Sequence, residues 1–405
     1  MPQYRWIQHD CTVTGLVDEP TAVGDDESQP SVAGRITGVD LARGLAVLGM
    51  FAVHVGPDPR AGGVAGPMAY ASQGRASILF ATLAGLSLAL VTGGPRTAGQ
   101  TVPAVLKRRV VVRAAIIFAI GTGLTIWGTA IPVILAYYGI LFLIALPFLR
   151  LRPATNLGIA AVLAVLTPIV SIMLRHPAVI TPLKAAERFD PVSRIGGDGL
   201  TNLFLTGGYP VLTWTPFVIG GIALGRLELQ RSTVRRKLIA GGASVALLAY
   251  GGAWVLGKTV NGAAVASFDE SHGTTGNSGA DVRWTSLLNA EGHTGTPFEI
   301  LGGLGIAIVV VACCISVANR IPRAVAPLVA MGSMSLTVYV GHLIAIEAMD
   351  MAARDGGSSP PPTGESVLSF CTFAAIAVVA SWIWMRYSRR GPIEECIHRV
   401  TARVS

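Results

Sequence analysis

From residue 38 onward the chain alternates between long apolar runs and short polar segments punctuated by Pro, Gly or Arg. A helix needs about 20 apolar residues to cross the hydrocarbon core of a bilayer, so runs of this length predict membrane spans. About ten are legible, at 38–56, 76–94, 110–129, 131–149, 155–174, 210–227, 239–257, 298–318, 328–348 and 367–387. The predicted fold class is therefore all-α, a polytopic integral membrane protein. The third and fourth spans are the least separable, because the only turn signal between them is Gly128 to Pro132.

What flanks the spans completes the predicted organisation. Residues 1–34 are polar and acidic, with Pro20 and Pro30 and no apolar core of a signal peptide, and read as a disordered tail. Residues 35–390 form the predicted membrane domain and 391–405 a C-terminal tail. Two outer segments, about 175–209 and 258–297, are too long for simple turns. Long connections of this kind are usually functional or disordered, and the second is rich in Gly, Ser, Thr and Asn.

Composition agrees with the pattern. Hydrophobic residues make up 51% of the 405 and charged residues 13%, about half the charged share of an ordinary soluble domain. The net charge of +8 would suit nucleic acid, but its distribution points elsewhere. With a cytoplasmic N-terminus, 21 Lys and Arg fall on or near the inner side and nine on the outer, with Arg43, deep in the first span, counted on neither. The positive-inside rule thus puts both termini in the cytoplasm and removes the need for a nucleic-acid partner. The preference for Arg over Lys is the codon bias of a GC-rich bacterium, which predicts a multi-pass protein of the bacterial inner (plasma) membrane. The five cysteines lack metal-ligand spacing, so no metal site is expected. Phosphate-binding loops, dinucleotide fingerprints, the GxSxG elbow and HExxH are all missing from the sequence, which disfavours ATP-driven transport by this chain alone.

An ionisable residue inside a span is costly unless partnered, so each one is a candidate for function. In the first span Asp40 and Arg43 are three residues apart and share a face. His54 follows Arg43 by three helical turns, at nearly the same azimuth and roughly 16 Å along the axis. Gly44 and Gly49 leave room there for a close helix or ligand. The stripe could equally be an interfacial ion pair and a surface histidine. In the ninth span Ser335, Tyr339 and His342 share a face, which reads either as a site or as a polar seam between helices. Glu299 opens the eighth span on the outer side, just after His293. Tyr209 and Trp214 read as interfacial aromatics and Arg226 as a snorkelling anchor.

The segment Arg35–His54, with Gly74-Arg75 and the run through Gly85 and Ser87, resembles the opening of heparan-α-glucosaminide N-acetyltransferase and its bacterial relatives. Its Asp-x-x-Arg-Gly element, with a histidine at the helix end, is similar to the wider transmembrane acyltransferase superfamily. Tyr209–Arg226, Met331–His342 and Gly391-Pro392-Ile393-Glu394 resemble the YeiB-like branch, in which asparagine often stands where this chain has His54.

The resemblance implies transfer of an acyl group, in the simplest case acetyl, from cytoplasmic acyl-CoA to a hydroxyl or amine of an envelope sugar or glycolipid. Acyl-CoA would be a co-substrate, held near Asp40, Arg43 and Gly44. His54 would be the general base, with His342 or Glu299 orienting it. Membrane lipids and the envelope acceptor are the expected partners, and a homo-oligomer stays open. Two other readings also stay open: a small-molecule or lipid transporter or flippase, and a non-catalytic partner in an envelope-assembly complex that keeps the fold.

Overall fold

The computed structural model describes residues 36–60, 62–260, 284–355 and 366–404. The predicted N-terminal tail and the central part of the second long outer segment lie outside them. Residues 36–405 form one compact unit, and helices are the only regular structure among the described residues.

The elements are α1 (Thr37–His54), α2 (Ala65–Ser72), α3 (Arg75–Val91), α4 (Ala104–Trp127), α5 (Ile134–Ala145), α6 (Pro153–Leu174), α7 (Pro177–Ala186), α8 (Pro191–Arg194), α9 (Val211–Gly225), α10 (Ser232–Val260), α11 (Pro297–Arg320), α12 (Pro322–Ser333), α13 (Ser335–Asp355), α14 (Val367–Tyr387) and α15 (Pro392–Ala402). Proline occupies the first turn of α6, α7, α8, α11, α12 and α15, where its missing N–H removes no intrahelical bond. Gly128, at φ 93°, ends α4 and separates it from α5, so the weakest sequence boundary is a real one.

Among the described residues, seven helical segments are long and apolar enough to cross a membrane, which makes this a polytopic membrane protein. Helices α1, α5 and α9 are shorter or more polar but occupy the centre, with Phe51, Tyr137 and Phe217 among their fully buried side chains. Around them α10 and α14 keep apolar faces open, as lipid-facing helices must.

Close crossings come from small residues, the usual device where lipid tails are as apolar as the helices. A Cβ on Gly85 would collide with the Val218 carbonyl, and one on Gly221 with the Thr82 carbonyl, so α3 and α9 touch along their backbones. Gly242 and Gly305 do the same for α10 and α11.

Three sequence expectations need correction. The span 328–348 is not one helix: Met334 interrupts it between α12 and α13. Tyr209 and Trp214 are not interfacial, being only 6% and 3% exposed in an aromatic cluster with Phe217 and His293. Nor does Arg226 snorkel: it is 2% exposed. Its guanidinium donates to the carbonyls of Gly94 (2.8 Å), Ala89 (3.2 Å) and Leu149 (2.6 Å), and also to Thr92 and Thr97. Several of these carbonyls close helical segments, whose partial negative charge suits a cation. The structure also fills the long segment 175–209 with α7, α8 and a π-turn at Asn202–Thr206.

Candidate functional site

The site is built on α1 and reaches α13. At the C-terminal end of α1, His54 Nδ1 lies 3.0 Å from His342 Nε2. The two rings are nearly coplanar, 8° apart with centroids 5.3 Å from one another. That spacing is what a nitrogen-to-nitrogen hydrogen bond in a shared plane gives, not a face-to-face stack. Phe51 and Tyr339 pack on His342 at centroid distances of 5.0 and 5.1 Å and fix its plane.

His342 is 4% exposed, and its Nδ1 is buried without a hydrogen-bond partner among the described residues. The contact between the two rings needs one shared proton, and with that proton on His54 Nδ1 the His342 Nε2 is the acceptor. His54 Nδ1–H then donates to it, and the lone pair of His54 Nε2 is left for chemistry.

A third histidine stands close by. His293 interacts electrostatically with His54, and its ring lies 5.4 Å from Tyr209 and 6.1 Å from Trp214. Its φ of 65° is the only positive value of a non-glycine residue among those described, a conformation that surrounding structure must hold in place. Glu299 is what holds it. The carboxylate accepts from the backbone N–H of His293 and Gly295 and from the Thr294 hydroxyl. Thr296 caps α11 in return, accepting from Glu299 N–H at 3.2 Å. This is a capping box with an extended reach. Gly74 (φ 67°) packs against Gly292, so the loop is also clamped to the start of α3. Burial pushes the His293 imidazole below its ordinary pKa, and the Gly208 carbonyl opposes that shift in part. The Tyr209 phenol is pushed up to about 12 by burial.

At the arginine-rich end of α1, Arg43 pairs with Asp40, which is 1% exposed, and its Nη2 donates to Ser87 Oγ at 2.7 Å. Arg113 of α4 interacts electrostatically with Arg43 and with Glu394 of α15. The Nε groups of Arg109 and Arg113 are buried without a hydrogen-bond partner. Buried orphan donors of this kind are uncommon and mark a place where an acceptor belongs.

The predicted residues thus divide. His54 and His342 meet, and Asp40 and Arg43 meet. Glu299 serves the His293 loop instead of reaching His54. Gly44 is a packing position: a Cβ there would lie 2.6 Å from the Leu328 carbonyl of α12, so its close neighbour is a helix. Ser87, Arg113 and the nearness of His293 to His54 escaped the sequence reading. The sequence Thr296-Pro-Phe-Glu299 did carry the signal for Glu299, since [ST]-x-x-[DE] before an apolar run is a capping-box signature.

The described residues thus form a helical membrane bundle with an imidazole pair at one end of its central helix and a guanidinium cluster at the other. A family profile described as an acyltransferase domain matches residues 36–386, and the chain belongs to that acyltransferase family. No curated protein matches the chain significantly.

Proposed function

We propose that this chain is an acyl-CoA-dependent transmembrane acyltransferase of the YeiB-like branch. It moves an acyl group, acetyl in the simplest case, to a hydroxyl or amine of an envelope sugar or glycolipid. The observation that carries the reading is the imidazole pair at one end of α1 with Arg43 at the other, about 16 Å away along the axis. Arg43, Arg109 and Arg113 supply charge-assisted donors for the phosphates of the nucleotide. The thioester end of the extended pantetheine arm then lies along α1 towards His54.

His54 Nε2 accepts the proton of the acceptor hydroxyl as that oxygen attacks the thioester carbonyl. The carbon–sulfur bond breaks, and the departing CoA sulfur takes the proton back from the imidazolium, leaving an ester and a free thiol. His342 Nε2 accepts from His54 Nδ1–H throughout and stabilises the imidazolium while it exists. Asp40 holds Arg43, and Glu299 keeps His293 beside the pair. In the ping-pong variant His54 Nε2 itself attacks the thioester carbonyl, the carbon–sulfur bond breaks, CoA leaves as its thiolate, and the acyl-imidazolium on His54 then awaits the acceptor.

The test is thiol release from acetyl-CoA by the full chain in nanodiscs, with and without envelope glycan or lipid extract. Acceptor-stimulated release that His54→Ala abolishes is the expected result. Release unaffected by His54→Ala removes the catalytic assignment. Failure to release thiol or bind acyl-CoA of any chain length removes the reading itself.

A further inference from the structure

A second polar feature lies apart from both ends of α1. Where α10 begins and α11 ends, a recess of about 310 Å³ is lined by Arg235, Arg236, Arg320, Ser232, Ser316 and Asn319, with Ile239 as its apolar residue. It has no carboxylate in its lining. The nearest acid along the chain, Glu228, is paired with Arg231. Three guanidiniums therefore line it with no balancing carboxylate among the described residues.

The recess is pre-ordered. Arg235 Nε donates to Ser316 Oγ at 3.0 Å, and its Nη1 donates to the Leu229 carbonyl at 3.1 Å and to the Gln230 carbonyl. Asn319 Nδ2 donates to Gln230 Oε1 at 3.3 Å. These bonds fasten the α9–α10 connection to α11 and hold one face of the Arg235 guanidinium still. Its Nη2 group takes no partner among the described residues. Arg236 and Arg320 are exposed and likewise unpaired there. The first turn of α10 adds its unsatisfied N–H groups and the Ser232 hydroxyl.

The position favours a lipid over a soluble anion. The recess opens at the N-terminal end of α10, whose apolar window is only 17% buried. Leu247 and Leu248, further along that helix, are 74% and 76% exposed. A phospholipid can lay its acyl chains on this face while its phosphate reaches the arginines. A soluble phosphate uses the arginines alone. Basic recesses between spans on the arginine-rich side are suited to anionic headgroups.

We propose that this recess is a binding site for an anionic phospholipid. Arg236 and Arg320 supply its charge, and Arg235 Nη2 and Ser232 act as fixed donors to the phosphate. The site is independent of the acyl-transfer reading and stands or falls without it.

The experiment is titration of the delipidated full chain, in a neutral detergent, with phosphatidylglycerol or phosphatidylcholine, read by native mass spectrometry. Adenosine 3′,5′-bisphosphate serves as the soluble phosphate. The expected result is a clear preference for phosphatidylglycerol that falls about thirtyfold in Arg236→Ala/Arg320→Ala, the effect of two interfacial charges. Arg389→Ala/Arg403→Ala, which removes equal charge elsewhere, is expected to leave the preference intact. Equal binding of the two lipids overturns the proposal, and so does an equal loss in the two double variants. Displacement of phosphatidylglycerol by the bisphosphate at equal concentration makes it a soluble-anion site and overturns the lipid assignment. The Arg236/Arg320 variant is checked by its melting curve, and Arg236→Gln/Arg320→Gln, which keeps polar side chains, is to lose the same preference.

Discussion

A histidine acting as base needs one nitrogen free and the other committed, and in the proposed mechanism His54 has that arrangement because His342, 3.0 Å away, accepts from it. His342→Ala removes the acceptor and is expected to lower kcat about a hundredfold, within the range of general acid–base effects, with little change in KM. His342→Gln can present an amide oxygen to His54 Nδ1–H and is expected to recover part of that rate. Arg43→Lys keeps the charge but lacks the planar fork that reaches Asp40 and Ser87 together. It should raise KM for acyl-CoA more than it lowers kcat. His293 gives a pH prediction. Its folded-state pKa lies below the ordinary 6.5, so below that value the unfolded chain binds more protons. The stability gained from the neutral, buried ring is present above pH 6.5 and is lost as pH falls through the folded pKa. Melting curves between pH 7 and pH 5 should therefore show a steeper loss in wild type than in His293→Gln. Residues three or eleven apart on one helix were legible in the sequence as neighbours. The approach of His54 to His342, 288 residues on, was not, because helical spacing says nothing about which helices meet. Tyr209 and Arg226 were misread for the same reason: position along a span gives depth, and only packing gives cover.

At the level of helices, the interruption at Met334 sets where His342 stands. Gly332, just before it, lies against the Asp40 carbonyl and Gly44 nitrogen of α1, with no room for a Cβ. Just after it, Glu394 of α15 accepts from the N–H groups of Leu336 (2.8 Å) and Thr337 (3.1 Å) and from the Thr337 hydroxyl. A carboxylate at the start of α13 satisfies orphan donors and complements the helix dipole. Glu394→Ala should cost about 1–2 kcal/mol, as loss of a strong helix cap does, and Glu394→Gln rather less. Gly332→Ala should separate α1 from α12 and reduce acyl transfer. Gly251→Ala, where a Cβ meets nothing within 4 Å, should be silent. Comparing thermal stability and thiol release in these variants separates a positioning role from a general fold defect. The spans were readable from hydropathy, but the interruption was not, since one apolar methionine between two apolar helices leaves the pattern unbroken. The motif Gly391-Pro392-Ile393-Glu394 was visible as a block, and its partner at Thr337 was not.

For the molecule as a whole, Arg226 is the node at which the ends of α3, α9 and the segment after α5 are tied together. Its ligands are carbonyls and hydroxyls, with no carboxylate among them. Arg226→Met is expected to destabilise the bundle by about 3 kcal/mol or more, because it leaves several buried carbonyls and hydroxyls without their donor, as measured by thermal denaturation in detergent. Class and general architecture were legible from composition and run length, because the bilayer imposes both. The internal tie was not legible, since its acceptors are backbone groups that any sequence possesses.

The arginine tie also bears on how the protein is made. Every carbonyl and hydroxyl that receives the Arg226 guanidinium lies between Ala89 and Leu149, in chain that leaves the ribosome before Arg226 does. A buried guanidinium without partners is costly wherever it lies in the bundle. Here the charge arrives at helices already in place, so the order of residues along the gene is also a workable order of insertion.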